Sequence, residues 1–159
     1  MNKLVLIRIG DQHRMQSVLF ADERKGKIVE RRIVNPWSWQ DQMGYVQANE
    51  VYGAQRTLFC AGQTSVDEEG RPLHAGDMGA QLAQALDNLE SVLGAAGAAL
   101  SDVMRLNIYT TAMDLLFEAY GPGAVRLAEA GCRPASTLVG VMRLSSPELL
   151  VEIEATAVV

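Results

Sequence analysis

The C-terminal segment alternates strictly between apolar and polar residues, and this alternation is the strongest constraint on the fold. Four apolar residues are interleaved with three polar ones: Val151, Glu152, Ile153, Glu154, Ala155, Thr156 and Ala157. Because successive side chains of a strand point to opposite faces, the pattern predicts a strand with one face on a core. Glu152 and Glu154 then share the other face, where we expect the chemistry to lie.

Length and charge favour a single acidic globular domain. The chain has 159 residues and a formal net charge of −5, which fits one domain and disfavours nucleic acid, since phosphate binding needs an excess of Lys and Arg. The apolar run over residues 4–9 contains Arg8 and is too short for a signal peptide or a membrane helix. We therefore expect a cytoplasmic protein whose partner is a small molecule or another protein, not a membrane.

The cysteines and histidines do not form a recognisable metal or redox motif. Cys60 and Cys132 lack a nearby second cysteine, and His13 and His74 are isolated in polar sequence. Zinc and disulfide sites need several such residues at defined spacing. No metal or other cofactor is expected.

The first 27 residues differ from the remainder. Charged clusters alternate with short apolar pieces there, whereas a regular pattern begins at Ile28. We predict an N-terminal extension over residues 1–27, either a strand or hairpin or a partly disordered segment. The regular domain is predicted to span residues 28–159.

Strands and helices can be placed along this domain. Alternating or apolar runs bounded by turn residues predict six strands, over residues 28–34, 45–48, 56–61, 103–109, 136–143 and 149–158. The second and third are expected to form a hairpin.

Two helices are predicted between these strands. The first is opened by Asp77, buries a leucine stripe over residues 82–93 and stops at Gly94 and Gly97. The second starts near Asp114, and Gly121-Pro122-Gly123 predicts a kink or two short helices. Two helices can cover one face of the sheet, so the fold class is α+β and the open face favours self-association.

Several short motifs together resemble the Rid family of reactive intermediate deaminases, also called the YjgF family and often labelled L-PSP endoribonucleases. The matching segments are 44–48, 60–63, 84–89, Gly97 with 102–105, 133–136 and 151–155. The resemblance implies a chorismate mutase-like α+β fold with two helices on one face of the sheet. It also implies a homotrimer with small-molecule clefts between subunits, and hydrolysis of enamines or imines without metal or cofactor.

The resemblance also identifies pocket positions, and several of them differ here. The family arginine that grips a substrate carboxylate corresponds to Ser136. The remaining implied positions are Tyr45, Ala61, Gly62, Tyr120, Leu138 and Glu152. Of these, Tyr45, Gly62 and Glu152 keep the family residue, whereas Ala61, Tyr120 and Leu138 replace a serine, an asparagine and a cysteine. This predicts a pocket that is less cationic and more apolar.

Each candidate residue has an alternative role. Glu152 is either the general base or a solvated or interface residue, and Tyr45 is either a pocket wall or a structural ring. Tyr120 is expected to pack on its helix more than to touch ligand. The Trp37 and Trp39 loop either caps the cleft or packs. Separately, Arg133 and Arg143 are alternative sources of the missing charge.

Three functions follow from these observations. The first is hydrolytic deamination of an enamine, imine or related reactive nitrogen compound, with altered specificity because of Ser136. The second is a non-catalytic small-molecule-binding or accessory trimer. The third is endoribonuclease activity, ranked last because the acidic chain offers no basic stripe and no acid/base histidine pair.

Overall fold

The structure is a computed structural model that describes residues 16–22, 27–40 and 42–159, with side chains described from residue 29 onward. The described elements are β1 (Gln16–Asp22), β2 (Lys27–Val34), β3 (Ala48–Tyr52), β4 (Thr57–Thr64), α1 (Met78–Ala95), a short 3₁₀ helix (Leu100–Asp102), β5 (Val103–Thr110), α2 (Met113–Glu129), β6 (Ala135–Gly140) and β7 (Val151–Val158). The α+β class is confirmed.

The predicted N-terminal extension is only partly described. β1 falls within it and pairs antiparallel with β2 along its whole length, whereas residues 1–15 and 23–26 lie outside the described residues. The boundary between extension and domain at residue 28 stays a prediction.

The strands form two sheets. One has the order β1-β2-β3 and the other β4-β7-β5-β6, in which β5 and β6 are parallel and the remaining pairs antiparallel. The predicted hairpin of residues 45–48 and 56–61 is wrong, because β3 pairs with β2 while β4 pairs with β7. Val46 bridges instead to Ala135, and its backbone N–H donates to the Pro134 carbonyl at 2.9 Å.

Helix α1 is the main support of the second sheet. Asp77 caps it by accepting a hydrogen bond from the Ala80 N–H, and Gly97 ends it with a positive φ of 72°, a conformation that glycine adopts readily. The predicted stripe is fully in the core: Leu82, Leu86, Leu89 and Leu93 are all buried.

Helix α2 runs as one helix through Pro122, so of the two predicted alternatives, a kink or two short helices, the second is wrong. Pro122 is exposed, and the neighbouring Gly123 is buried against α1, where an added β-carbon would lie 2.9 Å from Cδ2 of Leu82. The backbone N–H that Pro122 lacks is therefore missing on the solvent side of α2. Gly123, on the buried side, allows α1 and α2 to approach closely.

The predicted faces of β7 are confirmed. Val151, Ile153 and Ala157 are 0% exposed and belong to the core formed with both helices, whereas Glu152 and Glu154 on the opposite face are half-buried. Both helices thus pack on one side of the β4-β7-β5-β6 sheet, and its other side carries the two carboxylates.

Replacing a leucine of the α1 stripe tests this packing. Leu89→Ala should lower the free energy of unfolding by about 2–5 kcal/mol, since it leaves a cavity in a core with no solvent access. Urea unfolding followed by circular dichroism measures the effect. Val92→Ala on the exposed side of α1 is the matched control, and equal losses from both variants would contradict this core assignment.

Candidate functional site

The Glu152 carboxylate lies directly over the backbone of Gly62. A β-carbon added at Gly62 would be 1.7 Å from Oε1 of Glu152, so any side chain there would displace the carboxylate. The contact arises at a register shift in the β4–β7 ladder between Cys60 and Gln63, where an irregular strand brings its backbone out of line. Ala61 lies in the same irregularity with an exposed side chain.

Helix α1 holds both strands of this contact in place. The buried Gln81 accepts a hydrogen bond from the Leu150 N–H at 2.7 Å and donates to the Glu148 carbonyl at 2.8 Å, which fixes the chain two residues before Glu152. Asn88 donates to the carbonyls of Thr64 and Val66 at 2.9 and 3.0 Å. The placement of Glu152 over Gly62 therefore depends on two amide side chains of one helix.

The two carboxylates of β7 have different surroundings. Glu154 accepts hydrogen bonds from Asn107 Nδ2 at 2.6 Å and from the Tyr109 hydroxyl at 2.8 Å. These donors lower the pKa of Glu154, and the same contact raises the pKa of Tyr109. Glu152 has no hydrogen bond or ion pair among the described residues, so it is the carboxylate left available for a ligand.

Ser136 and Leu138 lie on the other face of the sheet. They are level with the buried Leu106 and Ile108 of β5, and side chains of directly paired residues share a face. The Ser136 hydroxyl donates to the Leu106 carbonyl at 2.8 Å. Its single proton is therefore already used, while Leu138 remains 36% exposed.

An aromatic loop lies at the start of β6. Tyr45 directly precedes Val46, which pairs with Ala135, and its ring meets that of Trp39 edge-on with centroids 6.4 Å apart. Trp37 and Trp39 are both about 60% exposed. Of the two interpretations of this loop, packing accounts for the Trp39–Tyr45 contact, and the exposed indole surface leaves a capping role open.

A buried arginine, which was not predicted from the sequence, anchors the same end of β6. Arg31 is 1% exposed; it donates to the Arg133 carbonyl and, at 2.7 Å, to Asn49 Oδ1. Asn49 donates in turn to the Met104 carbonyl at 2.8 Å. Burial lowers the pKa of Arg31 to about 10, so it stays charged at neutral pH. In sequence, an arginine in an alternating strand resembles a surface residue.

Tyr120 packs against the core, as expected from its helix. It is half-buried beside the core residues, and burial raises its pKa, with the neighbouring Cys132 as a second cause. The missed residue of α2 is Phe117, which is 65% exposed.

One chain does not bring the predicted site residues together. Glu152 is level with Tyr109 and, through it, with Val139 of β6. Ser136 is thus displaced from Glu152 by about 10 Å across the strands and by about 10 Å along them. The two side chains lie on opposite faces of the sheet. Gly62, Ala61 and Glu152 form one group; Tyr45, Ser136 and Leu138 form another.

The described residues contain neither a membrane-spanning helix nor a cluster of metal ligands. No described helix is both long and apolar enough to cross a membrane. In the same part of the chain, no three His, Cys, Asp or Glu side chains are grouped so that they could hold a metal ion.

Comparison with known proteins gives a consistent family. The model of the family described as Endoribonuclease L-PSP matches residues 40–159. A RutC family protein of Pyrococcus horikoshii is 35% identical over 109 residues, which is 69% of this chain and 84% of that protein.

Solved structures agree with this match. The crystal structure of YyfB from Yersinia pestis, described as a protein of unknown function of the conserved Rid family, has a TM-score of 0.74 and 36% identity, covering 81% of this chain and 98% of that one. Rv2704 of Mycobacterium tuberculosis, a YjgF/YER057c/UK114 family member, has a TM-score of 0.54 and 32% identity, with coverages of 81% and 99%. The chain therefore belongs to the Rid (YjgF) family, to which the Endoribonuclease L-PSP model corresponds.

Proposed function

We propose that this protein hydrolyses an enamine, imine or related reactive nitrogen compound at a pocket between the subunits of a homotrimer. The observation that carries the proposal is the position of Glu152, a carboxylate with no partner among the described residues that lies over the bare backbone of Gly62. A carboxylate in that state can accept a proton from water.

Self-association is part of the proposal because one chain holds the site in two separate groups. The sheet face that carries Glu152 also exposes Phe59, 84% accessible on β4. On this face Oδ1 of Asn107 is buried without a hydrogen-bond partner in the described chain. A second copy on this face would cover the phenylalanine, provide a donor for Asn107 and bring another chain's residues toward Glu152.

The chemistry requires only water and a base. Water adds to the carbon of the C=N bond while Glu152 takes its proton, and that proton passes to the nitrogen. Glu152 then carries the hydroxyl proton of the resulting carbinolamine to the same nitrogen; the C–N bond breaks as the C=O bond forms, and a carbonyl compound and ammonia are released. No oxidant, reductant or cofactor is consumed.

The protein should not favour small 2-imino acids as substrates. Ser136 stands at the carboxylate-binding arginine position, and its hydroxyl is engaged by the Leu106 carbonyl. A neutral, occupied hydroxyl cannot replace a bidentate guanidinium.

The engaged hydroxyl of Ser136 also favours a second candidate function, a trimer that binds small molecules without catalysis. Such a trimer would show ligand binding but no ammonia release.

The first test restores the missing cation. Wild-type protein should release little ammonia from 2-iminobutyrate, and Ser136→Arg should raise kcat/KM by at least about tenfold, because it supplies a carboxylate anchor. Adding Glu152→Gln to that variant should remove the gain, whereas the exposed Glu118→Gln should not. Strong wild-type turnover would contradict the assigned specificity, and a gain that survives Glu152→Gln would contradict the general base.

Gly62 provides an independent test of the same contact. Gly62→Ala should displace the Glu152 carboxylate and reduce ammonia release in the Ser136→Arg background about as much as Glu152→Gln does. Gly94→Ala is the matched control, since nothing lies within 4 Å of its added β-carbon. Circular dichroism confirms that each variant is folded, and unchanged activity in Gly62→Ala would refute the placement of the base.

The oligomer can be tested at the exposed phenylalanine. Phe59→Lys should convert the trimer to smaller species, because three buried ammonium groups would be left without partners. Sedimentation velocity at micromolar concentration measures this change. Val125→Lys on the exposed side of α2 should sediment like wild type; a wild-type protein that sediments as a folded monomer would exclude the proposed pocket.

A further inference from the structure

Two buried side chains clamp the peptide that leads into β7. Oε1 of Gln81 accepts a hydrogen bond from the Leu150 N–H at 2.7 Å, and the Thr110 hydroxyl donates to the Leu150 carbonyl at 2.8 Å. Gln81 is 0% exposed and Thr110 is 1% exposed, so water does not compete for these bonds. The residue directly before β7 is therefore fixed at its N–H by α1 and at its carbonyl by the end of β5.

The orientation of both clamping groups is determined by their other partners. Nε2 of Gln81 donates to the Glu148 carbonyl at 2.8 Å, so a flipped amide would set its oxygen against a carbonyl oxygen. Oγ1 of Thr110 accepts a hydrogen bond from the Ala112 N–H at 3.1 Å, which leaves the hydroxyl proton for Leu150. Each group thus has one arrangement that satisfies all of these neighbours.

The strand opposite Glu152 is tied to the same helix. Thr64 pairs directly with Glu152 in the β4–β7 ladder, and its carbonyl accepts a hydrogen bond from Asn88 at 2.9 Å. Gln84 donates to Oδ1 of Asn88 at 3.0 Å, which leaves Nδ2 of Asn88 to face β4. Because the ladder is irregular just before this pair, backbone pairing alone does not set the spacing there. The side chains of α1 supply the missing constraint.

The Glu152 carboxylate is sensitive to any shift of its strand. It has no hydrogen bond or ion pair among the described residues, so its backbone and the space over Gly62 set where its oxygens lie. Leu150 is only about 7 Å away along the strand. A displacement of about 1 Å at a reacting group can cost about a hundredfold in rate. Loosening the Leu150 peptide would therefore act on the carboxylate directly.

We propose that Gln81 and Thr110 are positioning residues for Glu152, the base of the proposed reaction. By clamping the Leu150 peptide they set the height of the carboxylate over Gly62, and both are too buried to touch substrate. The predicted effect on rate rests on the proposed hydrolysis, whereas the position of the carboxylate is measurable without turnover.

NMR measures the position of the carboxylate. In the wild-type protein, the backbone proton shifts of Gly62 should respond as Glu152 takes up a proton, and Glu152→Gln identifies this response by removing it. Gln81→Leu and Thr110→Val should reduce the response by about half or more, because the carboxylate moves away. Thr110→Ser, which keeps the hydroxyl, should preserve it. Leu93→Ala, a buried variant at the far end of α1, is the matched control: it should lose stability and keep the response.

Kinetics in the Ser136→Arg background measure the effect on rate. Gln81→Leu and Thr110→Val should each lower kcat for 2-iminobutyrate about tenfold or more and leave KM nearly unchanged, because binding is untouched. Neither should lower the residual rate further once Glu152→Gln is present, since both act through that carboxylate. The Leu93→Ala control should keep kcat, and circular dichroism confirms that each variant is folded.

The outcomes separate this inference from the proposed reaction. A Gly62 response that is unchanged in Gln81→Leu or Thr110→Val excludes the altered residue as a positioning residue. A response that is absent from the wild-type protein, or that falls equally in Leu93→Ala, overturns the whole inference. If the response falls as expected but Ser136→Arg gains no turnover, the positioning stands and hydrolysis fails. If Ser136→Arg turns over and the two variants keep its kcat, the reaction stands and the positioning fails.

Discussion

The alternation of β7 is the constraint on which the rest of the structure depends. β7 lies between β4 and β5 and pairs with both, so its register decides what each face of the sheet carries. A slip of one residue would exchange the faces, burying Glu152 and Glu154 against the leucines of α1. Burying two carboxylates and exposing the apolar residues of β7 would cost free energy, and this cost fixes the register. The same register places Glu152 over Gly62.

The sequence predicted those elements whose stabilising contacts are periodic and local. The α1 stripe and the faces of β7 follow from spacing alone, and Asp77 and Gly97 mark the ends of the helix. The hairpin prediction failed because strand pairing is a contact between distant segments: β4 pairs with β7, about a hundred residues later in the chain. A turn-rich connection does not require its flanking strands to pair with each other.

The candidate site was predictable only in part, and for a similar reason. The resemblance identified Gly62 and Glu152 separately, but their contact depends on an irregular register between two strands. Arg31 and Phe117 could not be singled out, because burial of a charged residue and exposure of an aromatic one both contradict the usual pattern. Such exceptions become visible only when the surrounding backbone is known.

The same sheet separates the roles of two adjacent acidic residues. Glu154 is held by Asn107 and Tyr109, which stabilise its charged form, whereas Glu152 is held by the shape of the backbone at Gly62 and keeps its oxygens free. A hydrogen-bonded carboxylate is a poor proton acceptor, since protonation would break those bonds. Glu154 is therefore suited to organising the sheet surface, whereas Glu152 is the base in the proposed reaction. Ser136 does not affect how Glu152 is placed, because the two residues lie on different strands and on opposite faces of the sheet.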